Sequence, residues 1–431
     1  MDANRKTAYH ALMDVETKNA YSNLALNHQI ICGRPSSPSF VRSLVYGVLE
    51  NKMLLDYIIA HYITRDIEKV KTSDLVVLRM GIYQLGYMDS VPEYAAVNES
   101  VVLAKKFCRG REGFINGVLR AYIRSRHAVR LPDRSEDPVK YLSIKYSCEE
   151  WIVDLWMDQY GADTAEAILK HSQGNPGLCI RVNTLKTGKE DLIRRLTEKN
   201  FEIKESLICQ SGLLVTKGSQ ILEDTLYKNG LFSVQDESSI RTVEMLDPQA
   251  GEMMVDVCAA PGGKTLAAAE RMSNRGQIVA TDIYLRKLAL ITKEADRLGV
   301  SILRTWPWDA TKVDSELLEK ADRVLADVPC SGLGVIRRKP EIKYKKRVSE
   351  FDSLPVKQLE ILTVASKYVK KGGVLQYSTC TINKKENEDV IKEFLRKNKN
   401  FSIVEERQFM PHIDKTDGFY VCKMVRSDSL I

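Results

Sequence analysis

At 431 residues the chain is too long for one hydrophobic core and predicts two or three domains. An apolar fraction of 44% against 28% charged excludes a disordered chain, and no stretch approaches the roughly 18 apolar residues of a membrane span. Nine scattered cysteines, with no Cys-x-x-Cys and no close Cys/His group, exclude a zinc site and a disulfide framework, and the modest net charge of +7 makes the arrangement of charge more informative than its sum.

The N-terminal "MDANRKTAYHALMDV" lacks the apolar run of a signal peptide, so a cytoplasmic protein with reduced thiols and no bound metal is expected. The first 130 or so residues carry helical period and almost no strand signal. "SLVYGVLENKMLLDYIIAHYI" places Leu44, Val48, Leu55, Ile58 and Ile59 near helical spacing, and "DLVVLRMGIYQLGYM" does so with Leu75, Leu78, Ile82 and Leu85. Pro92 breaks the chain before "EYAAVNESVVLAKKF", and "GFINGVLRAYIRSR" follows a Gly-containing turn. Between Val101 and Arg130 eight Lys or Arg residues face one acid, Glu112. Such a run is either a solvated helical face or a phosphate-binding surface. The run from "VLRMGIYQLGYM" to "GFINGVLRAYIR" resembles the all-helical RNA-binding domain of the NusB family, which implies such a domain over residues 1–135.

"RLPDRSEDPVKY", Arg130 to Tyr141, has the two prolines and mixed charge of a linker. Residues 140–230 read as a small α+β domain, with helices around "CEEWIVDLWMDQYG", "DTAEAILKHS" and "GKEDLIRRLTEKN" and a strand in "GLCIRVNTLK". Ser233, three residues before Asp236, reads as a helix cap.

Residues 231–431 form the last domain. From 252 strands and helices alternate, the signature of a mostly parallel sheet covered on both faces. Seven strands are placed, at "MMVDVC", "QIVATD", "SILRTW", "RVLADV", "GVLQYS", "FSIVEE" and "FYVCKMV". Ligands in such sheets sit at the carboxyl ends of the strands. There "DVCAAPGGKT" runs a strand into a tight turn where Gly262 and Gly263 let backbone approach a ligand. Neither G-x-x-x-x-G-K-[ST] nor G-x-G-x-x-G is present. Asp282 ends the second strand, placed for a ribose diol, and Asp309 follows the third, placed for an adenine edge; Trp306 and Trp308 read as core. A nucleoside without polyphosphate suits this layout, and S-adenosylmethionine is such a ligand.

Cys330, in "DVPCSG", follows the fourth strand, and Cys380, in "YSTCT", ends the fifth. If those strands are neighbours, about 5 Å apart, both thiols enter one crevice. Thiols suit methylation at carbon 5 of cytosine, a poor nucleophile, because thiolate addition to carbon 6 turns carbon 5 into an enamine carbon. The step also needs a donor at N3, a role open to a protonated Asp327, whose alternative is to cap the Cys330 loop. Spacing alone leaves open which thiol attacks. An amino-group methyltransferase would need a D/N-P-P-Y/F loop where this chain has "DVPC", and a catalytically dead assembly factor would need a damaged site.

Taken together, "DVCAAPGGKT", "DVPCSGLGVIRRKPEIK" and "YSTCT" resemble the RNA cytosine-C5 methyltransferases that use two cysteines. The resemblance implies a Rossmann-like class I methyltransferase domain, S-adenosylmethionine as cofactor and small-subunit (16S) ribosomal RNA, naked or in an assembling subunit, as partner of a monomer. It implies Cys380 as nucleophile, Cys330 as the residue that assists release, and a cofactor site of Cys258, Ala259, Ala260, Pro261, Gly262, Gly263, Lys264, Asp282, Asp309 and Asp327. Val328 and Leu333 depart from the usual Ala and Thr without removing a reacting group. The seven cations of "RRKPEIKYKKR", Arg337 to Arg347, read as phosphate contacts beside the crevice.

Overall fold

The computed structural model describes residues 1–427 apart from 175, 219, 346 and 347. Two compact units divide it: Met1–Asn175 with Ile336–Lys346, and Pro176–Val335 with Arg347–Ile431.

The first unit is helical. Helix Thr72–Tyr87 buries Val76, Val77, Leu78, Met80, Ile82 and Leu85, an apolar surface nearly all round, as suits a helix enclosed by others. The helical period around Leu44 to Ile59 resolves into two helices, Pro38–Glu50 and Lys52–His61. Ser37 opens the first by accepting from Phe40 N with Pro38 at its first position, and Asn51 closes it by donating through Nδ2 to the Gly47 carbonyl at 2.9 Å. Helices Glu93–Phe107 and Glu112–Ser125 follow. The proline-rich stretch at 130–141 lies within this unit, and Asp137 caps helix Pro138–Tyr146 by accepting from Lys140 N at 2.9 Å.

Within the segment Ile336–Lys346, Lys343 departs from the expectation for the cationic run. Glu341 and Lys343 are buried in the first unit: Ser22 donates to Glu341 from its backbone N and its hydroxyl at 3.0 and 2.7 Å, and Lys343 Nζ donates to the carbonyls of Glu50 and Tyr146 at 2.8 and 3.3 Å. A lysine spent on internal carbonyls is not available to a phosphate. Lys346, Arg347 and the side chain of Lys345 lie outside the described residues. In the run from 101 to 130, Arg111 and Arg126 are paired with Asp74 and Glu93, whereas Lys105, Lys106, Arg109, Arg120, Arg124 and Arg130 are exposed.

The second unit holds two sheets. Strands β1 (Leu178–Val182), β2 (Glu202–Glu205), β3 (Gly212–Lys217) and β4 (Phe232–Val234) form an antiparallel sheet in the order β2-β3-β1-β4, with helix Lys189–Glu198 between β1 and β2. Ser233 lies in β4 and caps nothing; the helix Glu237–Leu246 is capped by Asp236, which accepts from Ser238 N at 2.9 Å.

The remaining strands are β5 (Met253–Asp256), β6 (Gln277–Asp282), β7 (Leu303–Pro307), β8 (Ala321–Asp327), β9 (Val369–Thr379), β10 (Phe401–Phe409) and β11 (Phe419–Arg426). They make one sheet in the order β10-β11-β9-β8-β5-β6-β7, parallel from β7 through β9 and antiparallel where β11 joins β9 and β10. All seven strands expected from the apolar runs are present. Val255, Val279, Val324, Ala326, Leu375 and Tyr377 are buried, because helices cover both faces of the central strands.

Candidate active site

The loops after β5, β6, β7, β8 and β9 meet at the carboxyl edge of the sheet. They enclose a cavity of about 410 Å³ lined by Cys258, Ala260, Asp282, Asp309, Asp327, Cys330 and Cys380, together with Ile283, Tyr284, Lys287, Trp308, Ala310, Pro329 and Lys357.

Register explains why the two thiols meet. β8 and β9 are parallel neighbours with Asp327 opposite Ser378, and Val328 N donates to the Ser378 carbonyl at 3.1 Å. Cys330 and Cys380 lie three and two residues beyond that matched pair, and their Sγ atoms stand 3.3 Å apart. Both are partly accessible, as is Cys258, while Cys108, Cys148, Cys179, Cys209 and Cys422 are buried. The contact with Cys380, followed by burial, holds the Cys330 thiol well above the ordinary thiol range, so Cys330 stays protonated.

Lys264 lies beside Asp327. Its Nζ donates to Asp327 Oδ2 at 2.8 Å and stands 4.7 Å from the centre of the Phe419 ring. Burial alone would lower its pKa, but Asp327 outweighs that and raises it, so the ammonium stays charged. Ser378 Oγ donates to the other Asp327 oxygen at 2.8 Å. With a donor on each oxygen, Asp327 acts as an acceptor. Deeper still, burial pushes the Asp256 carboxyl up to about 7, although Thr265 Oγ1 donates to it at 2.7 Å.

On the other side of the cavity Asp282 accepts from Tyr284 N at 3.0 Å and from Ala260 N at 3.3 Å, which leaves lone pairs on both oxygens for a ligand. Asp309 is held below the usual carboxylate range by the Thr311 hydroxyl at 2.7 Å and by Thr311 N at 3.0 Å. These acidic acceptors, an exposed Tyr284 ring and an apolar floor suit a nucleoside with a cationic tail, and the site carries no phosphate cradle.

The geometry differs from the sequence reading in part. Ala259, Pro261, Gly262, Gly263 and Lys264 do not line the cavity. Gly262 has a φ of +102° and an added Cβ would lie 2.9 Å from Ile291, so backbone conformation and helix packing already require glycine there. Trp306 packs against the sheet core as expected, but Trp308 lines the cavity. Tyr284 and Lys357 line it too, and neither was singled out; an aromatic residue two positions after a strand-end Asp was the available signal for Tyr284.

The sequence profile of the family described as 16S rRNA methyltransferase RsmB/F matches residues 243–425, that of the NusB family residues 2–124, and that of the RsmF/B-like ferredoxin-like domain residues 149–222. The "probable ribosomal RNA small subunit methyltransferase B" of Bacillus subtilis is 38% identical over 443 residues, covering 97% of this chain and 98% of that protein. The chain belongs to the 16S rRNA methyltransferase RsmB/F family. The ribosomal RNA small subunit methyltransferase B of Vibrio vulnificus is likewise 29% identical over 98% of this chain and 99% of its own. Among solved structures, PH0851 superposes with a TM-score of 0.84 at 25% identity over 98% of both chains. A methyltransferase homolog protein from Pyrococcus horikoshii superposes with a TM-score of 0.61 at 26% identity, covering 67% of this chain and 99% of that one. This chain is accordingly an rRNA methyltransferase with a helical NusB region, a ferredoxin-like middle and a mostly parallel methyltransferase sheet. Among the described residues no helix is long and apolar enough to cross a membrane.

Proposed function

We propose that this enzyme methylates carbon 5 of a cytidine in 16S rRNA, with S-adenosylmethionine as methyl donor, through a covalent bond between Cys380 and carbon 6. The observation that carries the reading is the pair of sulfurs 3.3 Å apart in a cavity that also presents Asp282 and Asp309. The division into residues 1–135, 140–230 and 231–431 belongs to the same reading.

Cys258, Ala260, Asp282, Asp309 and Asp327 would hold the cofactor, which supplies an electrophilic methyl group on a sulfonium. The protein's own groups do the rest. The Lys264 ammonium, within electrostatic range of Cys380, favours negative charge on its sulfur. The Cys380 thiolate then adds to carbon 6; the S–C6 bond forms and the C5–C6 π electrons become available to bond carbon 5 to the methyl carbon. The Lys264 ammonium opposes the negative charge that develops as carbon 6 is attacked, acting through Asp327, and Asp327, already accepting on both oxygens, takes the exocyclic amine with a remaining lone pair instead of serving as a protonated donor. Loss of the C5 proton to a base restores the C5–C6 double bond and breaks the S–C6 bond. Cys330, still a thiol and in contact with Cys380, assists that departure.

Incubation with S-adenosylmethionine carrying a labelled methyl group and 16S rRNA, followed by nucleoside analysis, tests the proposal. Label in 5-methylcytidine is expected, and label only in an N4-methyl or adenine product would overturn it.

A further inference from the structure

Cys380 and Cys330 are not held in the same way. Cys380 directly follows β9, an eleven-residue strand paired on both sides, so the sheet fixes it. Cys330 sits in an irregular loop after β8, which regular structure does not fix. Backbone bonds from Val328 and Gly334 tie the two ends of that loop, and between them it is held by a side chain that the mechanism above does not use. Glu386, fully buried, accepts through Oε2 from Ser331 N at 2.8 Å and from Gln358 Nε2 at 3.0 Å, and through Oε1 from Asn383 Nδ2 at 3.0 Å. Ser331 is the residue after Cys330, and Asn383 belongs to the loop after Cys380. Gln358 Nε2 also donates to the Pro329 carbonyl at 3.0 Å, on the other side of Cys330, and the Ser331 and Thr381 hydroxyls are 2.7 Å apart.

A carboxylate sealed from water is costly unless donors surround it, and an apolar residue of like volume often folds as well or better. What a carboxylate alone does at this place is accept from both thiol loops at once. We propose that Glu386 is a positioning residue that clamps the Cys330 loop to the Cys380 loop and so keeps Cys330 where it assists release of the methylated base. This rests on the release role given to Cys330 above. The negative charge of Glu386 also adds to the contact with Cys380 and to burial in keeping the Cys330 thiol protonated.

The clamp differs from a purely structural buttress in what its loss does. A buttress would lower the folded fraction and leave each folded molecule turning over normally. A lost clamp leaves Cys380 on its strand, able to attack, while Cys330 drifts, so the enzyme stalls after attack. The full-length protein is incubated with S-adenosylmethionine and 16S rRNA, and the fraction trapped as a denaturation-resistant protein–RNA adduct is measured for wild type, Glu386→Ala, Glu386→Gln and Cys330→Ala. Glu386→Ala is expected to trap about ten-fold more adduct per folded molecule than wild type, since a displacement near 1 Å suffices for a loss of that order or larger. Glu386→Gln, which sets an amide N–H where one oxygen accepted, is expected to trap an intermediate amount. Cofactor affinity is expected to stay at the wild-type value in both. Folded variants that turn over without excess adduct would overturn the proposal; if Glu386→Ala unfolds, Glu386→Gln decides on the same readout. Absence of adduct in Cys330→Ala would instead remove the release role itself, and so separates failure of the mechanism from failure of the clamp.

Discussion

Gly334 N donates to the carbonyl oxygen of Cys380 at 3.0 Å, so the loop that carries one thiol is stitched to the backbone of the residue that carries the other. Gly418 N in turn donates to the Gly334 carbonyl at 2.8 Å. A Cβ on Gly334 would lie 1.9 Å from the Gly418 oxygen and 2.9 Å from that of Cys380. Both obstacles are backbone, so the loop must move. Gly334→Ala is therefore expected to lower kcat by about 100-fold through misplacement of the thiols, with cofactor binding retained. Single-turnover methyl transfer and calorimetric titration with the cofactor check the two halves of that statement.

On the function proposed above, Asp282 bears on the cofactor alone. It stands across the cavity from the thiols, with both oxygens engaged by backbone N–H groups and lone pairs to spare. Loss of a charge-assisted acceptor costs about 1.5–3 kcal/mol, so Asp282→Asn should weaken S-adenosylmethionine binding by about 10- to 100-fold. Equilibrium titration measures this, and unchanged affinity would remove Asp282 from the binding site.

Lys264 has the opposite signature. It lines no part of the cavity, yet its charge is within range of Cys380 and Asp327. Lys264→Met should leave cofactor affinity close to wild type and reduce methyl transfer by about 10²- to 10³-fold, the usual effect of removing one electrostatic stabiliser of developing charge. A change confined to cofactor affinity would contradict the assignment.

Asp256 sets a pH dependence of stability. Its folded pKa, raised by burial to about 7, exceeds the unfolded carboxylate value. The folded state therefore binds a proton that the unfolded state has released. The stabilisation is complete below the unfolded pKa, and it is lost as pH rises toward 7. Asp256→Asn removes the titration, so the wild-type curve should fall relative to the variant by up to about 4 kcal/mol between pH 4 and 7. Urea denaturation across that range provides the comparison, and parallel curves would show that Asp256 does not titrate there.

The parts of this account that the sequence made legible share a physical cause. Seven apolar runs became strands because a doubly covered sheet has little tolerance for polar side chains, and Cys330 and Cys380 came together because parallel register carries strand ends to one edge. What was not legible depended on distant partners. Glu341 and Lys343 sit in a run of cations that reads as phosphate contacts, but Ser22, Glu50 and Tyr146 take them up, and no local pattern announces a partner 319 residues away. Gly262 carried a signal with more than one cause, since a left-handed φ against Ile291 and an approach to a ligand both demand glycine. Asp327 was ambiguous for the same reason: only the side chains of Lys264 and Ser378 decide that it accepts.

The most direct measurement identifies the residue that bonds to RNA. Cys330→Ala protein is incubated with S-adenosylmethionine and 16S rRNA, denatured and digested, and the cross-linked peptide is sequenced by mass spectrometry, with Cys380→Ala run in parallel. A nucleotide attached to Cys380 in the first variant and no adduct in the second is the predicted result. An adduct in Cys380→Ala, or attachment at any other residue of the Cys330→Ala protein, would contradict the account.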